Sequence, residues 1–341
     1  MSDLSWSDSG VEQVDEGVYR IPLPLPHDSL RAINVYAIES DDELVLVDSG
    51  WDLAECRSAL ETGLASIGHG FGDIERFLVT HQHPDHYSQA LAIRRVWGTP
   101  VCLGAGERLS LDRFCDPQFS SLDETLVQLE RAGADELIVP LRAFRDAAQD
   151  LPGAFEWDYP DVWIEQEQLG IGLRSIEAIA TPGHTQGHMV FHDPGARLLF
   201  SGDHILPTIT PSVGLEPVPS ALPLADFMNS LRVVLARPDA RLLPAHGAVT
   251  DSAHARCREI LEHHERRLSE MAAAVADECH TAYQVARALR WTKREKALSE
   301  LDLANQNFAV NETRVHLDLC VDRGVLSRTL NSAGVDWYVS V

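Results

Sequence analysis

The chain has 341 residues, 45% of them hydrophobic and 23% charged, the make-up of a globular protein with room for about two domains. Its formal charge is −24, and a surface this acidic repels phosphate backbones unless basic residues gather somewhere, so nucleic acid is a disfavoured partner. No apolar run approaches the ~18 residues that cross a bilayer, and the acidic start MSDLSWSDSG lacks the features of a secretory signal, so no membrane role and a cytoplasmic location are expected.

From about 17 to 49 the chain reads as strands. VYRIPLPL and INVYAIES are rich in β-formers, and ELVLVDSG is a short apolar strand ending at Asp48-Ser49-Gly50. LAECRSALETGLASIG has helical spacing, with Leu60, Leu64 and Ile67 on one side, and the glycine-rich GHGFG closes it. IERFLVT is the next strand and runs straight into THQHPDH, residues 80–86. SQALAIRRVW then reads as helix and TPVCLG as strand, an alternation that predicts an α/β layered domain. From about 104 to 152 the pattern is helical without strand signals and reads as an insertion.

Strands resume with LRSIEAIATPGHT, HMVFHD and RLLFSGDHI, followed by a proline-rich loop, LPTITPSVGLEPVPSALPL. A helix near FMNSLRVVL and the strand ARLLPAHG lead into a long linking helix over 251–277. The tail, 278–341, reads as three helices and a hairpin: AYQVARALRW, REKALSEL, NETRVHLDLCVDRGVL and SRTLNSAGVDWYVS. The six cysteines are scattered without a C-x-x-C pair and read as reduced, mostly buried thiols.

His81, His83, Asp85 and His86 fall within six positions. Histidines two apart on an extended loop can turn toward one ion, and the kink at Pro84 lets Asp85 and His86 face a neighbouring position. Imidazole and carboxylate ligands without thiolate suit zinc, and also manganese or iron. One such cluster has too few ligands for a closed site, so partners are expected elsewhere. TPGHTQGH places His184 on a turn at a strand end, FSGDH places Asp203 at the next, and LPAHG places His246 at a third. Each follows an apolar strand and is flanked by glycine.

Together these motifs resemble the metallo-β-lactamase superfamily over roughly residues 17–250, its H-x-H-x-D-H signature being His81, His83, Asp85 and His86. The resemblance implies that His81, His83 and His184 bind a first metal, that Asp85, His86 and His246 bind a second, and that Asp203 bridges them. Asp48 matches a family aspartate that supports the ligands. The implied fold is α/β: an αββα sandwich over 1–250 carrying the helical insertion. The linking helix and a tail resembling the winged-helix module of one subgroup of these hydrolases complete the expected organisation. Two divalent ions about 3.5–4 Å apart can share a hydroxide and polarise a carbonyl or phosphoryl oxygen. Asp85 would orient that hydroxide and take its proton. No G-x-S-x-G, P-loop or C-x-x-C motif competes.

Other residues carry less. His188 reads as a supporting or core residue and not a ligand, His204 more as core than pocket, and His263 and His264 as solvated-face or helix-packing residues of the long helix. Tyr87 stands where many family members have small residues; it would either narrow the pocket or stack against substrate, or pack in the core at a helix start, the last slightly favoured. The favoured reaction is hydrolysis of a small-molecule ester, lactone or, above all, acyl thioester. The alternatives are a metal-dependent endoribonuclease and a non-enzymatic scaffold. Residues 278–341 hold eight Lys/Arg and eight Asp/Glu, without the positive excess of a nucleic-acid footprint. The tail is therefore expected to pack against the catalytic domain or to form a homodimer contact.

Overall fold

The computed structural model describes residues 5–8, 10–26, 30–148 and 156–341. They gather into two compact units, one of residues 1–115, 155–211 and 227–258, the other of 116–154, 212–226 and 259–341.

The first unit begins with strands β1 (Glu12–Asp15), β2 (Val18–Pro24), β3 (Ala32–Ser40) and β4 (Glu43–Val47), then helix α1 (Ala54–Ser66) and strand β5 (Ile74–Val79). Helix α2 (Pro84–Trp97), β6 (Val101–Gly104) and α3 (Arg108–Phe114) follow. After α4 (Ser121–Arg131) and α5 (Asp135–Ala148) of the second unit, β7 (Val162–Ile164) completes a seven-stranded sheet in chain order. Its first four strands are antiparallel, and β4 to β7 run parallel. Parallel neighbours need a crossover, which α1 and α2 supply.

A second sheet holds β8 (Glu167–Ile171), β9 (Arg174–Ala180), β10 (Met189–Asp193), β11 (Leu198–Gly202) and β12 (Arg241–Pro244), in the order β12-β11-β10-β9-β8. Only the β11–β12 pair is parallel. Strands β7 and β8 are short and largely exposed, without the apolar run that marks the others in the sequence.

Alternation explains why the first sheet reads as nearly unbroken apolar runs. Val35, Ala37, Leu44, Leu46, Phe77 and Val79 point into a core shared with Leu60 and Leu64 of α1 and Tyr87 and Leu91 of α2. Their neighbours Tyr36, Ile38, Val45, Val47 and Leu78 point the other way, into a core shared with Ile176, Phe191 and Phe200 of the second sheet. On that sheet's far face, Leu199 lines a small cavity with Val234 of α6 (Pro223–Leu235) and Ala253 of α7 (Ala253–Ala276). The layers are thus helix, sheet, sheet, helix, as expected.

The second unit joins α4 and α5 to the tail: α8 (Ala282–Ala288), α9 (Leu303–Asp322) and the hairpin β13 (Leu326–Leu330) and β14 (Asp336–Ser340). Arg131 pairs with Asp336 at 3.0 Å, and Tyr283 Oη donates to Glu136 at 2.9 Å. Where REKALSEL reads as a helix there is only a single 3-10 turn, Leu298–Glu300. The backbone reverses first, with Trp291 bridged to Lys296 and both Thr292 and Glu295 at positive φ, a region a right-handed helix does not visit.

Phe200 is buried between the sheets with its ring edge-on to Tyr36, centroids 5.4 Å apart. Phe200→Ala is expected to lower the unfolding free energy by about 3–5 kcal/mol in denaturant titrations, since the packed sheets cannot close over the space.

In the second unit, His264 and His316 face each other at 3.1 Å and are buried. Burial pushes the His316 imidazole down to about 3, against its hydrogen bond to the Glu312 carbonyl. Unfolded, it titrates near its ordinary value of about 6.5, so its contribution to stability is complete above that pH and is lost as pH falls from 6.5 toward 3. His316→Gln should therefore reduce the loss of stability between pH 7 and pH 5 by about 1–2 kcal/mol relative to the parent protein, measured by chemical denaturation at the two pH values.

Candidate metal centre

Parallel strands bring their C-terminal ends to one edge, and that edge carries most of the expected residues. Asp48 follows β4, His81 and His83 follow β5, Asp203 follows β11 and His246 follows β12. His184 sits on the turn between the antiparallel β9 and β10.

The start of α2 sets the middle of the motif. Pro84 opens the helix, a position that needs no N–H, and His83 caps it. Asp85 then lies in the first turn and His86 beside it. Ser49 clamps this turn from the β4 side: its backbone N–H and its Oγ both donate to the His86 carbonyl, at 3.0 and 2.6 Å.

Asp48 itself has φ +60, a left-handed conformation that aspartate tolerates better than most residues. Its Oδ1 accepts from the Thr80 N–H at 2.8 Å, and its Oδ2 accepts from His86 Nδ1 at 2.9 Å. The Thr80 hydroxyl also donates to Asp48 and lies 3.1 Å from His81 Nδ1. One buried carboxylate thus orients His86 directly and His81 through Thr80, leaving the Nε2 atoms of both rings to face the site. His246 is oriented in the same way, its Nδ1 donating to the Ala32 carbonyl at 2.8 Å. On the His184 turn, Gly183 adopts φ +139 where an added Cβ would stand 2.4 Å from Phe227 Cα, so the turn closes only with glycine. Thr185 Oγ1 steadies that turn through Glu107 at 2.5 Å.

The structure brings all seven expected residues together, in two groups. His81 Nε2, His83 Nδ1 and His184 Nε2 stand 2.9, 3.1 and 3.2 Å apart. His246 Nε2 lies 3.4 Å from Asp85 Oδ2, and His86 Nε2 lies 3.6 Å from it. Asp203 presents one oxygen to each group: Oδ2 is 3.7 Å from His184 Nε2, and Oδ1 is 3.3 Å from His246 Nε2 and 3.7 Å from His86 Nε2.

These distances fit a cation. Zinc–nitrogen bonds of about 2.0–2.1 Å in a tetrahedron place ligand nitrogens about 3.3 Å from one another. His86 Nε2, His246 Nε2 and Asp203 Oδ1 are buried and meet no hydrogen-bond partner, a cost of about 1–3 kcal/mol each that a shared cation would remove. The electrostatics agree. Burial, then repulsion from the neighbouring imidazoles, drives His81 well below its ordinary range and His83 down to about 3, so both are neutral and able to ligate. At His86 burial acts downward too, but Asp85, Asp48 and Asp203 outweigh it and raise the ring to about 10. Burial would raise Asp85, yet His86 and His246 hold its carboxyl well below the usual range. The acidic half calls for positive charge, and the histidine half cannot supply it as protons.

The remaining residues divide. Tyr87 is fully buried and its hydroxyl donates to the Asp158 carbonyl at 2.8 Å, so it anchors α2. His204 lies buried among His188 and Phe227, ring centroids 5.9 and 5.0 Å away. His263 and His264 belong to the second unit. Thr80, Ser49 and the Ala32 carbonyl escaped the sequence reading; only the placing of Thr80 beside His81 could have pointed to it.

Residues 28–246 match the model of the metallo-beta-lactamase superfamily. Probable metallo-hydrolase YqjP of Bacillus subtilis (strain 168) is 27% identical over 321 residues, covering 89% of this chain and 92% of that protein. A metallo-beta-lactamase family protein from Thermus thermophilus has a crystal structure that superposes with a TM-score of 0.77 at 25% identity, over 96% of this chain and 100% of that one. A stretch of 42 residues is 45% identical to hydroxyacylglutathione hydrolase of Fuscovulum blasticum, 12% of this chain and 16% of that protein. With the family matched over most of its length, the chain belongs to the metallo-beta-lactamase superfamily and is a metal-dependent hydrolase.

Proposed function

We propose that the protein is a dinuclear hydrolase of small-molecule acyl thioesters, with esters and lactones as related substrates and zinc as the favoured metal. The observation that carries the dinuclear reading is Asp203, whose two oxygens each face a separate group of three ligating atoms. His81, His83 and His184 would hold one ion and Asp85, His86 and His246 the other, with Asp203 placed to reach both. Bound there, divalent ions supply Lewis-acid polarisation of a carbonyl oxygen and acidify a water toward neutral pH.

The chain's own residues do the rest. Asp85 is the most exposed of the acidic groups at the centre, with 16% of its side chain open against 10% for Asp203, and it is ionised at neutral pH. It orients the attacking water and takes its proton as the oxygen bonds to the acyl carbon. As the carbon–sulfur bond breaks, that proton passes to the thiolate, giving a carboxylic acid and a thiol. Asp48 and Thr80 keep the two histidine rings in the tautomer that this requires.

Thioester chemistry is supported by the name of the Fuscovulum relative, since an acylglutathione is a thioester. The charge of −24 favours a small-molecule substrate over RNA. The tail's helices and hairpin support a winged-helix-like module, which we read as a packing or homodimer element because its charge is balanced.

The decisive experiment pairs metal content with turnover of an acyl thioester, an aryl ester, a lactone and a structured RNA. Two metals per chain with thioester turnover, both reduced in His83→Ala, are expected; RNA cleavage alone would replace this reading with a ribonuclease. Asp85→Asn is expected to lower kcat by about 10²–10⁴-fold, the range of a lost general base, in steady-state thioester assays at saturating metal.

A further inference from the structure

We propose that His188 is a positioning residue of the metal centre: its imidazole holds the backbone of Asp203 and the ring of His81, steadying a ligand on each side. This rests on reading the seven residues as metal ligands. His188 precedes β10, four residues after His184, and is fully buried. His188 Nε2 lies 3.2 Å from the Asp203 backbone nitrogen. That nitrogen carries a proton, so Nε2 must accept, and the ring proton sits on Nδ1. Nδ1 lies 2.9 Å from Thr181 Oγ1, which accepts this proton and turns its own toward the His188 carbonyl at 3.3 Å. Every group in the loop is satisfied by one neutral tautomer and by no other; a doubly protonated ring would set N–H against N–H.

The approach is built into the backbone. Gly202 turns the chain after β11 at φ +50, and an added Cβ would stand 2.8 Å from His188 Nε2 and 2.6 Å from Thr80 Oγ1. Only glycine lets the imidazole and the threonine reach in from the two sides. The His188 ring also stacks on His81, centroids 5.0 Å apart and planes 28° from parallel. His81 is thus gripped at Nδ1 by Thr80 and across its face by His188. Ordinary core packing would require the shape of this side chain but not its acceptor, and the acceptor is what the Asp203 N–H uses.

The test compares the parent protein with His188→Gln and His188→Leu, stripped of metal and titrated with Co²⁺. The readouts are the visible absorption bands and the metal retained per chain against a competing chelator. Glutamine keeps both an acceptor for Asp203 and a donor for Thr181; leucine keeps similar bulk without either. The expected result is near-parent affinity for the glutamine variant and a loss of about 10–100-fold with altered Co²⁺ bands for leucine, the usual range for removing a partner that orients a metal ligand. Parent-like binding by the leucine variant, or equal losses in both, overturns the proposal while leaving the metal centre standing. A parent protein that binds no Co²⁺ overturns the metal reading and this proposal with it. If the leucine variant does not fold, Thr181→Val frees the Nδ1 proton and is expected to weaken Co²⁺ binding by about tenfold; unchanged binding would overturn the proposal.

Discussion

Five imidazoles and two carboxylates turned toward one another in a protein interior demand positive charge. The histidine-rich half cannot meet that demand with protons, because each imidazolium would repel the next in a desolvated site. The acidic half does the opposite and draws protons onto His86 and His246, where Asp203 and Asp85 act against the effect of burial. Groups with such opposed preferences stay together only if the surrounding structure leaves them no alternative.

The two sheets provide that restraint. Strands β4 and β5 are buried on both faces, so their ends can neither fray nor slip without moving a core residue into the wrong layer. Parallel pairing of β4 with β5, and of β11 with β12, aims those ends at one edge. Around this edge a ring of acceptors fixes the imidazoles: Asp48, Thr80 and the Ala32 carbonyl each occupy an Nδ1 so that an Nε2 faces inward. His83 is the exception, presenting Nδ1, because it caps α2 and approaches from the helix side.

The second unit is assembled differently. Its insertion helices and its tail lie more than a hundred residues apart in sequence, yet Arg131 with Asp336 and Tyr283 with Glu136 tie them into one body. Composition and periodicity identify each piece as helical or hairpin. Nothing in either pattern says that they fold together, since long-range pairing leaves no local trace. The failed helix near 294–301 has a local cause instead: good helix formers are overridden by a reversal at Thr292 and Glu295.

The sequence by itself determined the layered α/β class, the run of buried strands, and the seven residues that meet at the site, because strand periodicity and the spacing of the H-x-H-x-D-H, TPGHT, SGDH and PAHG motifs are local properties. It also pointed to Asp48, through the resemblance of LVDSG to a family motif. The family resemblance carried by those motifs also implied how the seven divide; only the tertiary structure decided that Asp203 turns Oδ2 to one group and Oδ1 to the other, and which neighbours besides Asp48 hold the ligands. Thr80, His188 and the Ala32 carbonyl act through hydrogen bonds whose partners come from other strands and turns, and His188 differs from an ordinary core histidine only in what its Nε2 meets. Such a contact is set by where strand ends converge, which depends on the packing of both sheets at once and not on any single stretch of the chain.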